Sequence, residues 1–198
     1  MNKVSKHYDL LIDNGDDPFF DDQEMASYMD RWDGTEFINA LGLTPEKSVL
    51  EIGCGTGRVA KKIVNSCKTY TGIDLSSKTI IVANKNFINK TNVKLLLGNF
   101  LSYRFNKKYD IIFSTLTFMH IRNKKKALKK VYKLLKPGGK FVLSISKSQQ
   151  KRIDTGYSKI TVFPDTPQQT YDILANAGFV NITVKEVDFA YIFSAYHP

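Results

Sequence analysis

The segment V-L-E-I-G-C-G-T-G-R-V-A, residues 49–60, decides how the chain is read. It starts as a short apolar run, meets glycine at 53, 55 and 57, and then opens a predicted helix. A strand that breaks into glycines before a helix places a ligand-binding loop at its carboxyl end, where open α/β sheets bind. Glycine there allows a tight turn and a close approach of ligand to backbone. The spacing is G-x-G-x-G. The dinucleotide fingerprint is G-x-G-x-x-G, and its exposed helix N-terminus receives a pyrophosphate. Glu51 precedes this loop. A carboxylate is poor company for a pyrophosphate and suits a ligand carrying cationic groups.

Outward from this segment, strands and helices alternate. Strands are predicted at residues 48–53, 69–75, 93–98, 109–116 and 140–146, and helices at 56–67, 77–89 and 124–136. Ser76 is the expected N-cap of the second helix, and Pro137-Gly138-Gly139 stops the third. A helix at 166–177, ended by Gly178, leads to strands at 181–187 and 190–196. Repeated β-α-β units imply a mostly parallel sheet with helices on both faces. The link between the last two strands is too short for a crossover, so they should run antiparallel. Residues 147–164 lack periodicity and read as a loop or small insertion near the active site. Ahead of the first strand, one or two helices are expected around 22–32 and 34–41.

Asp74 ends the second strand in Y-T-G-I-D-L-S. An ionised carboxylate there can accept both hydroxyls of a ribose. NAD-binding folds use the same position, so Asp74 gains its meaning from the glycine loop and Glu51. Together with L-L-K-P-G-G-K-F-V-L before the fifth strand and A-G-F before the sixth, E-I-G-C-G-T-G-R resembles the motifs of class I S-adenosylmethionine-dependent methyltransferases. The likeness runs from about Val49 to the C-terminus.

The resemblance implies an α/β, doubly wound, seven-stranded sheet with the last strand antiparallel. It implies one domain over 1–198, with a Rossmann-like core at 46–198 and an N-terminal helical lid at 1–45. S-adenosylmethionine is the implied cofactor and S-adenosylhomocysteine its product, with no metal expected. Carried over by position, Gly53, Gly55 and Gly57 line the methionine part, Glu51 supports the loop, Asp74 holds the ribose and Leu75 packs on adenine. Cys54, Arg58 and Ser76, interleaved with these, join the expected cofactor set. The family often has Gly-Asp after the third strand, where this chain has Gly98-Asn99-Phe100. Asn99 keeps a carbonyl acceptor toward the adenine, or serves a turn. Phe100 covers the ring, or packs in the core.

Methyl transfer needs in-line alignment, exclusion of water and, for some acceptors, a base. Ser114 and Thr115, at the end of the fourth strand, should lie beside the methionine portion. His120, just beyond, is the candidate general base, or else a structural residue at a helix start. Tyr8 and Trp32 are candidates for ligand contact from the lid, or anchors of packed helices. Arg152 and Tyr157 are candidates for the acceptor side.

The chain has 198 residues, 42% of them hydrophobic, and a formal charge of +10. No apolar run reaches the roughly 18 residues of a membrane span, and the N-terminus does not read as a signal peptide. Two cysteines make no disulfide framework. The expected location is the cytoplasm. The lysines of 123–136 fall opposite Ala127, Leu128, Val131, Leu134 and Leu135, as on a solvated helix face. A nucleic-acid partner is therefore not favoured, and the expected acceptor is a small molecule. An RNA- or protein-modifying methyltransferase, a non-catalytic cofactor-binding module and an NAD-dependent oxidoreductase are the alternatives.

Overall fold

The computed structural model describes residues 3–198. Three helices open the chain: α1 (Lys3–Asp13), α2 (Gln23–Asp33) and α3 (Thr35–Leu41). Then follow β1 (Ser48–Ile52), α4 (Ala60–Ile63), β2 (Thr69–Asp74), α5 (Ser77–Asn86), β3 (Val93–Leu97), β4 (Tyr109–Ser114), α6 (Lys124–Leu134) and β5 (Leu135–Ser146). A hairpin of β6 (Arg152–Asp154) and β7 (Lys159–Thr161), α7 (Pro167–Asn176), β8 (Val180–Glu186) and β9 (Ala190–Tyr196) complete it.

Seven strands form one sheet in the order β3-β2-β1-β4-β5-β9-β8. β9 runs antiparallel to both its neighbours, and the other pairs are parallel. The order reverses between β1 and β4, so a crevice opens beyond their carboxyl ends. Side chains alternate across the sheet with period two. Leu50 and Ile52 pack with Leu128, Val131 and Leu174 of α6 and α7. Val49 packs on the other face with Phe37, Leu41, Ala60, Ile63 and Ile80 of α3, α4 and α5. Glu51 shares the parity of Val49 and so enters the second layer, beside the glycine loop.

Several elements differ from the sequence expectation. The helix expected at 56–67 shrinks to α4, because Gly57 has φ of +103°, which no α-helix accommodates. The strand expected at 109–116 ends at Ser114, and Leu116 adopts φ of +51°. The strand expected from 140 begins at Leu135, and its ladder with β4 shifts register after Tyr109. Gly138 (φ +74°) bends the chain within this strand and donates to the carbonyl of His197 at 3.0 Å. Residues 147–164 hold the β6–β7 hairpin.

Helix α1 was not foreseen. Its Asp9 accepts the Ser76 hydroxyl at 2.6 Å and the Lys78 amide at 3.2 Å, both at the start of α5. A carboxylate on a helix N-terminus is favourable because the free amides there carry partial positive charge. Its His7 meets Ser158 at the tip of the hairpin. Among the described residues, no helix is long and apolar enough to cross a membrane.

Candidate active site

The glycine loop is held open from both sides. The Gly53 amide donates to the Ile73 carbonyl of β2 at 2.8 Å, fixing the turn to the sheet. A Cβ on Gly53 would fall 2.0 Å from Thr117 Oγ1, and one on Gly57 would fall 2.2 Å from the Phe87 ring. These two glycines are required by packing. Gly55 differs: its φ is +56° and a Cβ there would meet nothing within 4 Å. The sequence keeps side chains out of a space that the protein itself leaves open.

Acidic groups surround that space. Asp74 accepts the Gly55 amide at 3.1 Å with one carboxylate oxygen and the Ser76 amide at 2.9 Å with the other. Burial raises its pKa, and the backbone amides offset part of that rise. Glu51 is buried and accepts the Tyr70 hydroxyl. Burial pushes its carboxyl up to about 8, against the pull of Tyr70 and Arg58 and with the push of Asp33 and Asp74. Asp33, at the end of α2, is fully buried. It accepts both arms of the Arg58 guanidinium, at 2.8 and 2.6 Å, and the Thr115 hydroxyl at 2.6 Å. Asp74, Glu51 and Asp33 thus lie around the loop, and Arg58 is paired with Asp33.

The candidate residues divide by what already occupies them. Gly53, Cys54, Gly55, Gly57, Glu51 and Asp74 lie together at the ends of β1 and β2. Cys54 is buried against Gly72, and burial raises its thiol well above the usual range. Arg58 is turned onto Asp33. Ser76 caps α5 by accepting the Thr79 amide at 3.0 Å. Ser114 donates to the Ile52 carbonyl at 2.8 Å, which ties β4 to β1. Leu75 is half-buried beside Asp74. Asn99 is exposed and accepts the Leu101 amide at 2.8 Å on its side-chain carbonyl, a turn contact that leaves its side-chain amide group facing solvent. Phe100 is buried in the core beside Phe105.

The two candidates from the N-terminal segment lie in different places. The Tyr8 hydroxyl lies 2.9 Å from His120 Nε2, and burial followed by the Asp74 charge raises its pKa. Tyr8 therefore bridges the carboxylate side of the crevice and the end of β4. Trp32 packs against Phe189 with ring centroids 4.5 Å apart and tilted by 55°, and donates to Ser146 Oγ at 3.4 Å. It lines a second cavity, beyond β4 and β5, rather than the glycine loop.

That cavity holds about 190 Å³ and opens to solvent. Leu116, Phe118, Met119, Ile145, Ile153 and Val162 give it apolar walls, and Arg152 lines it too. It adjoins the glycine loop through Thr117, which lines the cavity and donates to the Gly53 carbonyl at 3.4 Å. Tyr157 is exposed on the hairpin tip. His120 stands next to this wall. Burial, then the charges of His7 and Lys124, lowers its pKa to about 4, and its Nδ1 is buried with no partner among the described residues. No group of three His, Cys, Asp or Glu among the described residues is placed to hold a metal ion.

Asp33, Asp9, Tyr70 and Thr117 escaped the sequence reading. Each acts through a contact with a residue distant in the chain, so no local spacing could have marked it.

A family model described as a methyltransferase domain matches residues 50–143, from β1 through β5. A malonyl-[acyl-carrier protein] O-methyltransferase of Priestia megaterium is 34% identical over 149 residues, covering 73% of this chain and 48% of that protein. The chain belongs to the class I methyltransferases. It spans about a third to a half of the length of the first curated relatives it matches. Two solved structures extend the likeness to the methyltransferase fold. Haemonchus contortus phosphoethanolamine N-methyltransferase 2, in complex with phosphomonomethylethanolamine and S-adenosylhomocysteine, aligns with a TM-score of 0.67 at 18% identity. The match covers 81% of this methyltransferase chain and 51% of the other. The [4+2]-cyclase SpnF aligns with a TM-score of 0.78 at 16% identity, over 99% and 96% of the two chains. The fold is thus shared by a methyltransferase and a cyclase, so chemistry must be argued from the site.

Proposed function

We propose that the chain transfers a methyl group from S-adenosylmethionine to a nucleophilic oxygen, nitrogen, sulfur or carbon of a small-molecule acceptor. The observation that carries this is the open space at Gly55, bounded by Asp74 and by more carboxylates than cations. That donor set fits the cofactor. A ribose diol matches the Asp74 oxygens, and the surplus negative charge suits an ammonium and a sulfonium. When bound, S-adenosylmethionine supplies an electrophilic methyl group to an in-line nucleophile. Glu51 lies beside the loop with its proton held by burial and releases that proton when a cationic ligand binds, and Asp33 positions Arg58 and Thr115 around the loop. Tyr8 and His120 close the crevice where donor and acceptor meet and exclude water from it.

His120 is a poor general base in this reading. A carrier of protons works best with a pKa near the working pH, and His120 is neutral far below neutrality. We assign it a positioning role, in which it holds the Tyr8 hydroxyl through Nε2 at the end of β4. Residues 46–198 form the catalytic core and the segment ahead of them its lid. The similarity to relatives named for malonyl-[acyl-carrier protein] and phosphoethanolamine supports a small acceptor or an acceptor group held on a carrier.

The test is calorimetric titration with S-adenosylmethionine, S-adenosylhomocysteine and NAD, with Asp74→Ala as control, followed by a labelled-methyl screen of acceptors. Binding of the first two, weakened at least tenfold in the variant, supports the donor assignment. Preference for NAD, or no binding by folded protein, removes it. Tight donor binding without methyl transfer to any acceptor class would favour the non-catalytic module.

A further inference from the structure

The polar groups of the cavity beyond β4 and β5 can be accounted for one by one. Ser144 donates to the Trp32 carbonyl at 2.9 Å. Ser146 accepts from Trp32 and from the Ser148 amide at 3.1 Å. Ser148 accepts the Gln150 amide at 3.4 Å. Thr117 donates to backbone carbonyls, and Asp165 is ion-paired with Lys124 at 3.0 Å. Two side chains are left over. Among the described residues, the Arg152 guanidinium makes no ion pair or hydrogen bond, and neither does the Gln150 side-chain amide. Both lie on the hairpin side of the cavity, whereas Thr117 lies on the side of the glycine loop.

An unpaired cation at the edge of apolar walls selects a ligand of matching build. The walls take an apolar body, because burying apolar surface is favourable and asks for no hydrogen bonds. The guanidinium offers two parallel N–H donors, the geometry of a carboxylate or phosphate. Asp165, the acid lining the cavity, is neutralised by Lys124 and does not compete. We infer that the acceptor is a small amphiphilic anion, its carboxylate or phosphate held by Arg152 and Gln150 and its nucleophile directed past an apolar body toward Thr117. This rests on the methyltransferase reading above and specifies its acceptor.

The test uses matched probes in the presence of saturating S-adenosylhomocysteine: 4-phenylbutyrate, 3-phenylpropyl phosphate and the neutral 4-phenylbutanamide. Binding is followed by ligand-observed NMR titration, with wild type and Arg152→Gln. Arg152 is exposed on a hairpin, so the variant should fold, and S-adenosylhomocysteine affinity in the same sample checks this. The expected result is binding of an anion at least tenfold tighter than the amide, with Arg152→Gln reducing it to the amide's level. The stronger of the two anions identifies carboxylate or phosphate as the group recognised. Equal binding of all three probes, no binding of any, or an anion preference that survives in Arg152→Gln would overturn the inference while leaving the donor assignment intact. Failure of S-adenosylhomocysteine itself to bind would overturn both.

Discussion

Tyr8 and His120, 112 positions apart in the chain, meet through a 2.9 Å hydrogen bond that joins the first helix to the end of β4. The rings lie edge to face at 5.6 Å, and Asp74 acts on Tyr8 from the other side. Removing the hydroxyl with Tyr8→Phe should keep the ring and lose the link. We expect donor affinity within about threefold of wild type and a kcat about tenfold lower, the effect of roughly 1.4 kcal/mol. An unchanged kcat would place this contact outside the reaction.

The same histidine makes a prediction about pH. Its pKa is lowered to about 4 by burial, then by His7 and Lys124, so it carries no charge at neutrality. The folded state therefore binds fewer protons than the unfolded state between about 4 and 6.5, and stability contributed by this group rises with pH across that window. His120→Gln should flatten that rise in denaturation midpoints. Turnover limited by a group titrating near 6.5, and lost in His120→Gln, would restore the general-base role.

Glu51 works in the opposite direction. Its carboxyl is raised to about 8, chiefly by burial, so the folded protein holds a proton that the unfolded chain loses above about 4.5. Stability from this group is full below that value and declines as pH rises toward 8, by at most about 1.4 kcal/mol per pH unit for one proton. Glu51→Gln should remove the decline. A cationic donor should expel the proton, so titrations at pH 7 in buffers of different ionisation enthalpy should report proton release. No dependence on buffer would mean that Glu51 is already ionised in the free protein.

The buried Asp33–Arg58 pair should be costly to break from one side. Asp33 has no exposed side-chain surface and Arg58 very little. Asp33→Ala leaves a buried guanidinium without its partner and should destabilise the fold by about 3 kcal/mol, read by urea denaturation. Loss under 1 kcal/mol would show that Arg58 finds another acceptor, with Glu51 the nearest candidate.

The three loop glycines should separate by substitution to alanine. Gly53→Ala and Gly57→Ala collide with Thr117 and Phe87 and should lower stability most. Gly55→Ala meets open space and carries mainly the strain of a positive φ, about 1–2 kcal/mol. It should nevertheless weaken S-adenosylmethionine binding at least tenfold, because the methyl group occupies the ligand's space. Wild-type donor affinity in Gly55→Ala would move the cofactor elsewhere.

Much of this architecture can be read in order along the chain, because its cause is local. Alternating apolar strands and amphipathic helices dictate a doubly wound sheet, and the short link from 187 to 189 forces β8 and β9 antiparallel. Val49 to Ala60 announces the loop because glycine is needed where φ is positive, and Asp74 announces itself by ending a strand. Helix α1 gave a weaker signal. Its buried residues are Ser5, His7 and Asp9, polar side chains that carry no hydrophobic period.

The sheet, the glycine loop and the acids at the ends of β1 and β2 follow from local sequence, since backbone preference and hydrophobic period act over a few residues. Tertiary structure alone decided that Asp33 claims Arg58, that Tyr8 reaches His120, and that Arg152 is left unpaired beside an apolar cavity. Those outcomes depend on which side chains meet across 25, 112 and more residues of chain, where Coulomb attraction and desolvation choose partners by distance in space and local spacing carries no trace of them.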